Sequence, residues 1–488
     1  MEPWRVSTGA GRRWPATTKS SLLFATLLVG AACNPSSGDQ RSLPAPEASP
    51  RAEQHISAAG LRLLPEWDPV SAVVVSVSQA FDSETFSKTS GPGAHALLDE
   101  RLKFYSSIAD FSPDVELIML VNEPEHEDLA RAAMRNRGNL SILAQPSWVW
   151  MRDFFPLSAA TPSGDRALVG YTRYMSHVSK ALADHLEVPL VRGTGLRSRL
   201  IEGGNIMVDG QGRCYVSVYA SEGKLEAASA AEVSDLSRIC TEVRTVPKMS
   251  FEMTGHIDIF ARFLNDTTVL VADYNNEGFH LAAEPVERQF SCSDQQVRRQ
   301  AWQECAPLGA EYPAMGRLRM GPIDSSGDVK VTILPAQLIS TLNDYYPQTE
   351  VEVRARKYHL GRQEHVDAVA EAFAEFGFDV VRLRNPTPYL SLERVRYQDN
   401  EGRVIKSTML VQTVFPTYTN SLMVNGVVYL PQYANATNSD NAQAVSLHEQ
   451  AGFAVVPTDM TQSISFRGAS RCLATEIHGN APLLAFNN

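Results

Sequence analysis

Four short segments of this 488-residue chain set chemically capable side chains among apolar or turn-forming neighbours. Trp148-Val-Trp-Met-Arg-Asp153-Phe-Phe-Pro156 holds an Arg-Asp pair between large aromatics, which is costly to bury unless each charge finds a partner. Ile201-Glu-Gly-Gly-Asn-Ile206 brings Glu202 beside twin glycines, which allow a tight turn or a close backbone approach to a ligand. Thr254-Gly-His-Ile-Asp-Ile-Phe260 spaces His256 and Asp258 two apart, so a strand there points both to one side. Phe466-Arg-Gly-Ala-Ser-Arg-Cys472-Leu puts one cysteine in a Gly/Ser turn. Each segment has a plainer account: a local ion pair, a turn cap, a satisfied pair at a sheet edge, a core thiol. Together they supply two acids for binding, a histidine for proton transfer, a further carboxylate and a nucleophile.

The elements that must position these groups alternate β-rich runs with amphipathic stretches. Strands are predicted at 70–78, 115–121, 205–209, 215–219, 268–272, 380–383, 422–430 and 453–457, and helices at 95–111, 125–137, 176–185, 225–238, 363–376 and 441–452. This mixture is an α/β or α+β class. The stretch 281–330 is polar, carries Cys292, Cys305, Pro307, Pro313 and Pro322, and reads as an insertion on the body.

Lys and Arg number 44 against 55 Asp and Glu, a net charge of −11. The first 32 residues hold Arg5, Arg12, Arg13 and Lys19 against Glu2, and removing that local +3 leaves −14. An acidic body argues against nucleic acid as a partner and suits a cationic substrate. The apolar run Ser21–Ala32 is shorter than the roughly 20 residues that span a bilayer, and with its basic flank and small terminal residues it reads as an export signal. Cys33 follows directly, as in lipoprotein signals, so a lipidated Cys33 tether and plain cleavage near Ala31–Ala32 both stay open. The expected organisation is a signal over 1–33, a flexible proline-dotted linker over 34–60 and a catalytic body over 61–488. Export implies an oxidising compartment, where Cys214 with Cys240 and Cys292 with Cys305 are candidate pairs that leave Cys472 alone.

A zinc site lacks close ligand spacing among its cysteines, and only one histidine sits in a motif. The surroundings of Cys472 do not match those of papain-like proteases, and no phosphate-binding glycine loop is present.

In this order the four segments resemble the guanidine-modifying enzymes of the pentein superfamily, most closely the agmatine deiminase and bacterial peptidylarginine deiminase branch. Pro65-Glu-Trp-Asp-Pro69, Trp150-x-Arg-Asp153-x-x-Pro156, Glu202-Gly-Gly-Asn205, Gly255-His-Ile-Asp258-x-Phe260 and Thr417-Tyr-Thr-Asn420 carry the resemblance from about Leu61 onward. Two positions depart from it. Phe155 stands where a glycine is usual, and Gly468-Ala-Ser-Arg471-Cys472 is nearer to the free-arginine deiminases. The resemblance implies a five-bladed α/β propeller of ββαβ units with an inserted segment, and no metal or organic cofactor. It also implies roles: Asp153 and Asp258 grip a guanidinium, Cys472 attacks it, His256 moves protons, Glu202 orients His256, and Asn205 and Asn420 join the substrate site. Arg173 is a candidate for a substrate carboxylate. An amidinotransferase and a non-catalytic pentein binding protein are the alternatives.

Overall fold

The hydrophobic run Val70–Ser76 forms a strand whose successive side chains serve two different cores. Val73 and Val75 join one apolar cluster, and Ala72 and Val74 join another on the opposite face. The next strand, Glu116–Val121, divides its residues the same way. Burial on both faces is why these strands read as continuous apolar runs rather than as an alternation.

The computed structural model describes residues 60–77, 93–147, 149–154, 156–170, 176–192, 202–218, 220–221, 224–225, 227–248, 254–274, 280–281, 286–291, 352–355, 363–398, 404–434, 436–465 and 468–479. Pro50–Asn488 forms one compact unit, and Met1–Ser49 is a separate one outside the described residues. The expected signal and linker therefore also lie outside them. Among the described residues, no helix is long and apolar enough to cross a membrane.

Five sheets repeat one arrangement: an antiparallel pair, then a helix, then a strand parallel to its neighbour. In the first, Ala474–His478 lies antiparallel to Val70–Ser76, which pairs in parallel with Glu116–Val121 after the helix Gly93–Phe111. Residues close to the C-terminus thus complete the sheet of the first long strand. The others are Leu157–Ala160, Arg166–Gly170 and Leu190–Arg192 around the helix Ser176–His185; Met207–Val208, Arg213–Val218 and Glu242–Pro247 around Ala227–Leu236; Ala261–Phe263, Thr268–Tyr274 and Asp379–Asn385 with Gln363–Glu375; and Leu422–Val424, Val427–Gln432 and Ala454–Asp459 with Asn438–Gln450. A helix between two parallel strands is the required crossover.

Several expectations change. The strand predicted over 422–430 is a hairpin, because Asn425 and Gly426 take φ of 48° and 83° and turn the chain. The predicted helix 125–137 is a 3-10 turn, Pro124–His126, followed by the shorter helix Glu127–Ala133. The expected insertion includes a strand. Val286–Ser291 pairs in parallel with the strand Tyr389–Gln398, itself one arm of a long hairpin with Val404–Val414. Sequence patterning gave no sign of that hairpin. Residues 292–351, with Cys292 and Cys305, lie outside the described residues. The pairing of Cys214 with Cys240 is present as a disulfide.

Candidate active site

The segment carrying His256 and Asp258 is not a strand. Gly255 takes φ of 60°, a backbone that other residues rarely adopt, and turns the chain so that His256 leads into the 3-10 turn Ile257–Ile259. Glu202 leads likewise into a second 3-10 turn, Gly203–Asn205, at the twin glycines that allow a tight turn. Asn205 joins the two turns. Its Oδ1 accepts from the backbone N–H groups of Ser217 at 3.1 Å and Ile257 at 3.3 Å, and its Nδ2 donates to the Ser217 carbonyl at 3.0 Å. The amide expected to meet substrate is thus spent on the scaffold.

Gly204 marks the centre of the site. A Cβ there would lie 2.5 Å from His256 Nδ1, 3.0 Å from Asp153 Oδ1 and 3.3 Å from Asp258 Oδ2. Three predicted residues from two distant segments therefore converge on the bare backbone of the third. His256 Nε2 lies 2.6 Å from Glu202 Oε2, and Nδ1 lies 3.5 Å from Asp153 Oδ1. Burial alone would lower the histidine pKa, but the Asp153 charge and the bond to Glu202 more than offset it and raise it to about 9. Burial raises Asp153 to about 7, aided by the Glu202 and Asp258 charges and opposed by His256. Glu202 is pulled below the usual carboxylate range: burial pushes it up, and the bond to His256 pulls it down further.

Cys472 is a buried free thiol on the turn that follows Gly468. Asn420 organises that turn. Its Nδ2 donates to Cys472 Sγ at 3.3 Å, and its Oδ1 accepts the N–H groups of Ala469 at 3.0 Å and Cys472 at 3.3 Å. Its backbone carbonyl takes the Arg471 N–H at 3.1 Å. Burial pushes the thiol well up, as do the charges of Asp258 and Asp153, while the Asn420 donor pulls it down. The Arg152 N–H reaches the Cys472 carbonyl at 3.4 Å and ties the Asp153 segment to the thiol turn.

Beneath these groups lies a buried charge cluster that the sequence reading did not single out as part of the site. Arg471 Nη1 donates to Asp258 Oδ2 at 2.7 Å, and its Nη2 meets Glu66 Oε1. Arg152 pairs with Glu476 at 2.8 Å, and Arg262 with Glu66 at 2.7 Å. Asp258 Oδ1 is buried without a hydrogen-bond partner. Glu66 stood in a motif already quoted, Pro65-Glu-Trp-Asp-Pro69. Its partners Arg152, Arg262 and Arg471 come from other segments, which the motif does not record. Arg173 lies outside the described residues.

Asp153, Glu202 and His256 place one ligand atom each within 4.8 Å of one another, a spacing that a cation could bridge. Both ring nitrogens of His256 face carboxylates, and a pKa raised to about 9 favours the imidazolium near neutrality. Two carboxylates aimed at one point, a protonated imidazole and a neighbouring thiol suit the capture of a planar cation and attack on its central carbon.

Residues 62–301 match the model of the family described as Porphyromonas-type peptidyl-arginine deiminase. Solved structures share the fold across most of the chain. An agmatine deiminase of C. jejuni is 13% identical with a TM-score of 0.52, covering 86% of this chain and 97% of that one. Its substrate-bound Cys-to-Ser variant gives 12% and 0.51 over the same shares. A Porphyromonas gingivalis protein described as an arginine deiminase is 14% identical with a TM-score of 0.52, covering 86% of this chain and 98% of that one. Comparison with curated proteins returns no match.

Proposed function

We propose that this chain, a pentein-superfamily relative of the agmatine and peptidyl-arginine deiminases and so of hydrolases acting on C–N bonds, converts a guanidinium group to a ureido group and ammonia through a covalent intermediate on Cys472. The observation that carries the reading is the convergence of Asp153, Asp258 and His256 on Gly204, with Asn420 holding the Cys472 sulfur beside them.

A guanidinium presents N–H donors in a fixed fork, and two carboxylates can grip it and fix its central carbon. Asp153 and Asp258, which both face Gly204, supply that grip. The resting thiol is neutral, held so by burial and the two carboxylates. An arriving cation cancels those negative charges and lowers the thiol pKa, so binding itself prepares the nucleophile. The thiol releases its proton to solvent, and Sγ bonds to the guanidinium carbon. His256, protonated at rest, gives its proton to the departing nitrogen, which leaves as ammonia. The neutral imidazole next takes a proton from water, the water oxygen adds to the same carbon, and the C–S bond breaks to release the ureido product and the thiol. Glu202 fixes the ring and balances its charge.

The substrate class we infer is arginine within peptides or proteins, with agmatine as the small alternative. Support comes from the basic and apolar run over 1–32, read as an export signal ahead of Cys33, and from the Cys214–Cys240 disulfide, which suits an oxidising compartment. Purified protein should be offered agmatine, free arginine, an internal-arginine peptide and a C-terminal-arginine peptide side by side. Ureido product from a peptide and none from agmatine is the expected result. Turnover of agmatine alone overturns the peptide assignment, and no turnover of any of the four overturns deimination.

A further inference from the structure

Glu66 stands far from the candidate catalytic residues in sequence, yet one carboxylate meets three arginines from three separate segments. Its Oε1 pairs with Arg471 and lies 3.6 Å from Arg152 Nη2, and its Oε2 lies 2.7 Å from Arg262 Nη1. Each of these arginines neighbours a reacting group in the chain. Arg152 precedes Asp153, Arg471 precedes Cys472, and Arg262 follows Asp258 in the strand Ala261–Phe263. Every member of the cluster is buried, Arg262 and Arg471 at 0% exposure and Glu66 at 3%. Glu476 accepts from Arg152, lies 3.7 Å from Arg262, and closes the cluster from the strand that follows the thiol turn. Three guanidiniums thus face three carboxylates, those of Glu66, Glu476 and Asp258. His478, on the same strand as Glu476, is held toward its neutral form, chiefly by burial.

We propose that Glu66 is the positioning residue that assembles this site, fixing through one carboxylate the arginines that flank Asp153, Asp258 and Cys472. The proposal rests on the deiminase reading for what the site does, and on the geometry alone for how it is held. Arg471 transmits the effect most directly: held by Glu66, it donates to Oδ2, the Asp258 oxygen that faces Gly204. Removing the Glu66 charge has two consequences. The arginines lose their common anchor, and one positive charge is left in excess beside a thiol that faces Asp258, Asp153, Asn420 and the Ala469 N–H.

The test compares Glu66→Gln and Glu66→Asp in the full-length protein, with thermal melting to confirm folding. Two readouts are taken: kinetics on whichever guanidine the wild type turns over, and the pH dependence of Cys472 alkylation by iodoacetamide, followed on the Cys472 peptide by mass spectrometry. For Glu66→Gln, kcat/KM should fall about 100-fold, as for reacting groups displaced by about 1 Å. The KM of the cationic substrate should rise, and the alkylation midpoint should move down by about one unit or more. Glu66→Asp, which keeps the charge but not the reach, should lose kcat while its midpoint stays near wild type. A folded Glu66→Gln with unchanged kinetics and midpoint overturns the proposal. So does a Glu66→Gln that fails to fold beside a Glu66→Asp with wild-type kinetics and midpoint, because Glu66 would then only support the fold. If the wild type turns over no guanidine, the deiminase reading fails, and the alkylation midpoint still decides the place of Glu66.

Discussion

Asn420 reaches Cys472 from both sides of the sulfur's own turn: its Nδ2 donates to Sγ at 3.3 Å while its Oδ1 accepts the Cys472 N–H, also at 3.3 Å. One side chain therefore sets both the backbone and the sulfur of the nucleophile. Asn420→Ala should lower kcat by about 100-fold with a smaller effect on KM, since a misplaced nucleophile loses rate more than affinity. Steady-state kinetics on the preferred guanidine checks this. An Asn420→Ala whose KM rises while kcat holds would make Asn420 a substrate ligand instead.

Gly204 has no side chain because the site occupies that space. Gly204→Ala would set a methyl 2.5 Å from His256 Nδ1, between two carboxylates. The expected outcome is loss of guanidine binding by calorimetry, with melting temperature reduced by only a few degrees, roughly the effect of 1 kcal/mol. Retained affinity would mean that the ligand does not enter between Asp153 and Asp258.

Activity should follow a bell in pH. Asp153, raised to about 7, must lose its proton to grip a cation, and His256, raised to about 9, must keep its proton to serve as acid. The profile of kcat/KM should rise near pH 7 and fall near pH 9, and Asp153→Asn should lose the acidic limb together with about 100-fold or more in kcat/KM. Stability follows with a definite sign. The folded pKa of His256 lies above its ordinary 6.5, so its contribution is complete below pH 6.5 and is lost as pH rises to about 9. Asp153 acts in the same direction between its ordinary 3.8 and about 7. Glu476, held near 2 by Arg152, Arg471 and Arg262 against the effect of burial, acts oppositely: its contribution is present above its ordinary 4.5 and is lost as pH falls toward 2. Melting temperatures across this range check all three.

The Cys214–Cys240 disulfide closes a segment with a sequence separation of 26. A closed loop of that size contributes about 3–4 kcal/mol in the chain-entropy account. Reduction, or Cys214→Ser with Cys240→Ser, should lower the melting temperature by several degrees and leave the chemistry at Cys472 intact. Unchanged melting would show that the bridge is dispensable to the fold.

Sequence patterning was most informative where burial has a simple period. The helix Ser176–His185 was expected over its observed bounds because Val178, Leu182 and Ala183 mark one buried face. Patterning misled where turn chemistry outranks period. Asn425-Gly426 reverses the chain inside what reads as one strand, and Gly255 makes a turn of what looks like an alternating strand. Even so, His256 and Asp258 reach one centre, by way of two 3-10 turns laid together and not by strand alternation. The Asp153, Glu202, His256, Asp258 and Cys472 set was visible because reactive residues stood out against apolar neighbours. The pairing of Glu66, Arg152 and Arg471, which stood in quoted motifs, with Arg262 and Glu476 was not, because a buried ion cluster is defined by who meets whom across the fold, which no local spacing records.

The central claim is that Cys472 breaks a guanidinium C–N bond. The most direct test measures ammonia and ureido product together for the wild type and for Cys472→Ala, with calorimetry on the variant to show that it still binds guanidine. The account predicts equimolar ammonia and ureido product from the wild type, and from the variant none above background, with binding retained. Turnover by Cys472→Ala at the wild-type rate would contradict it.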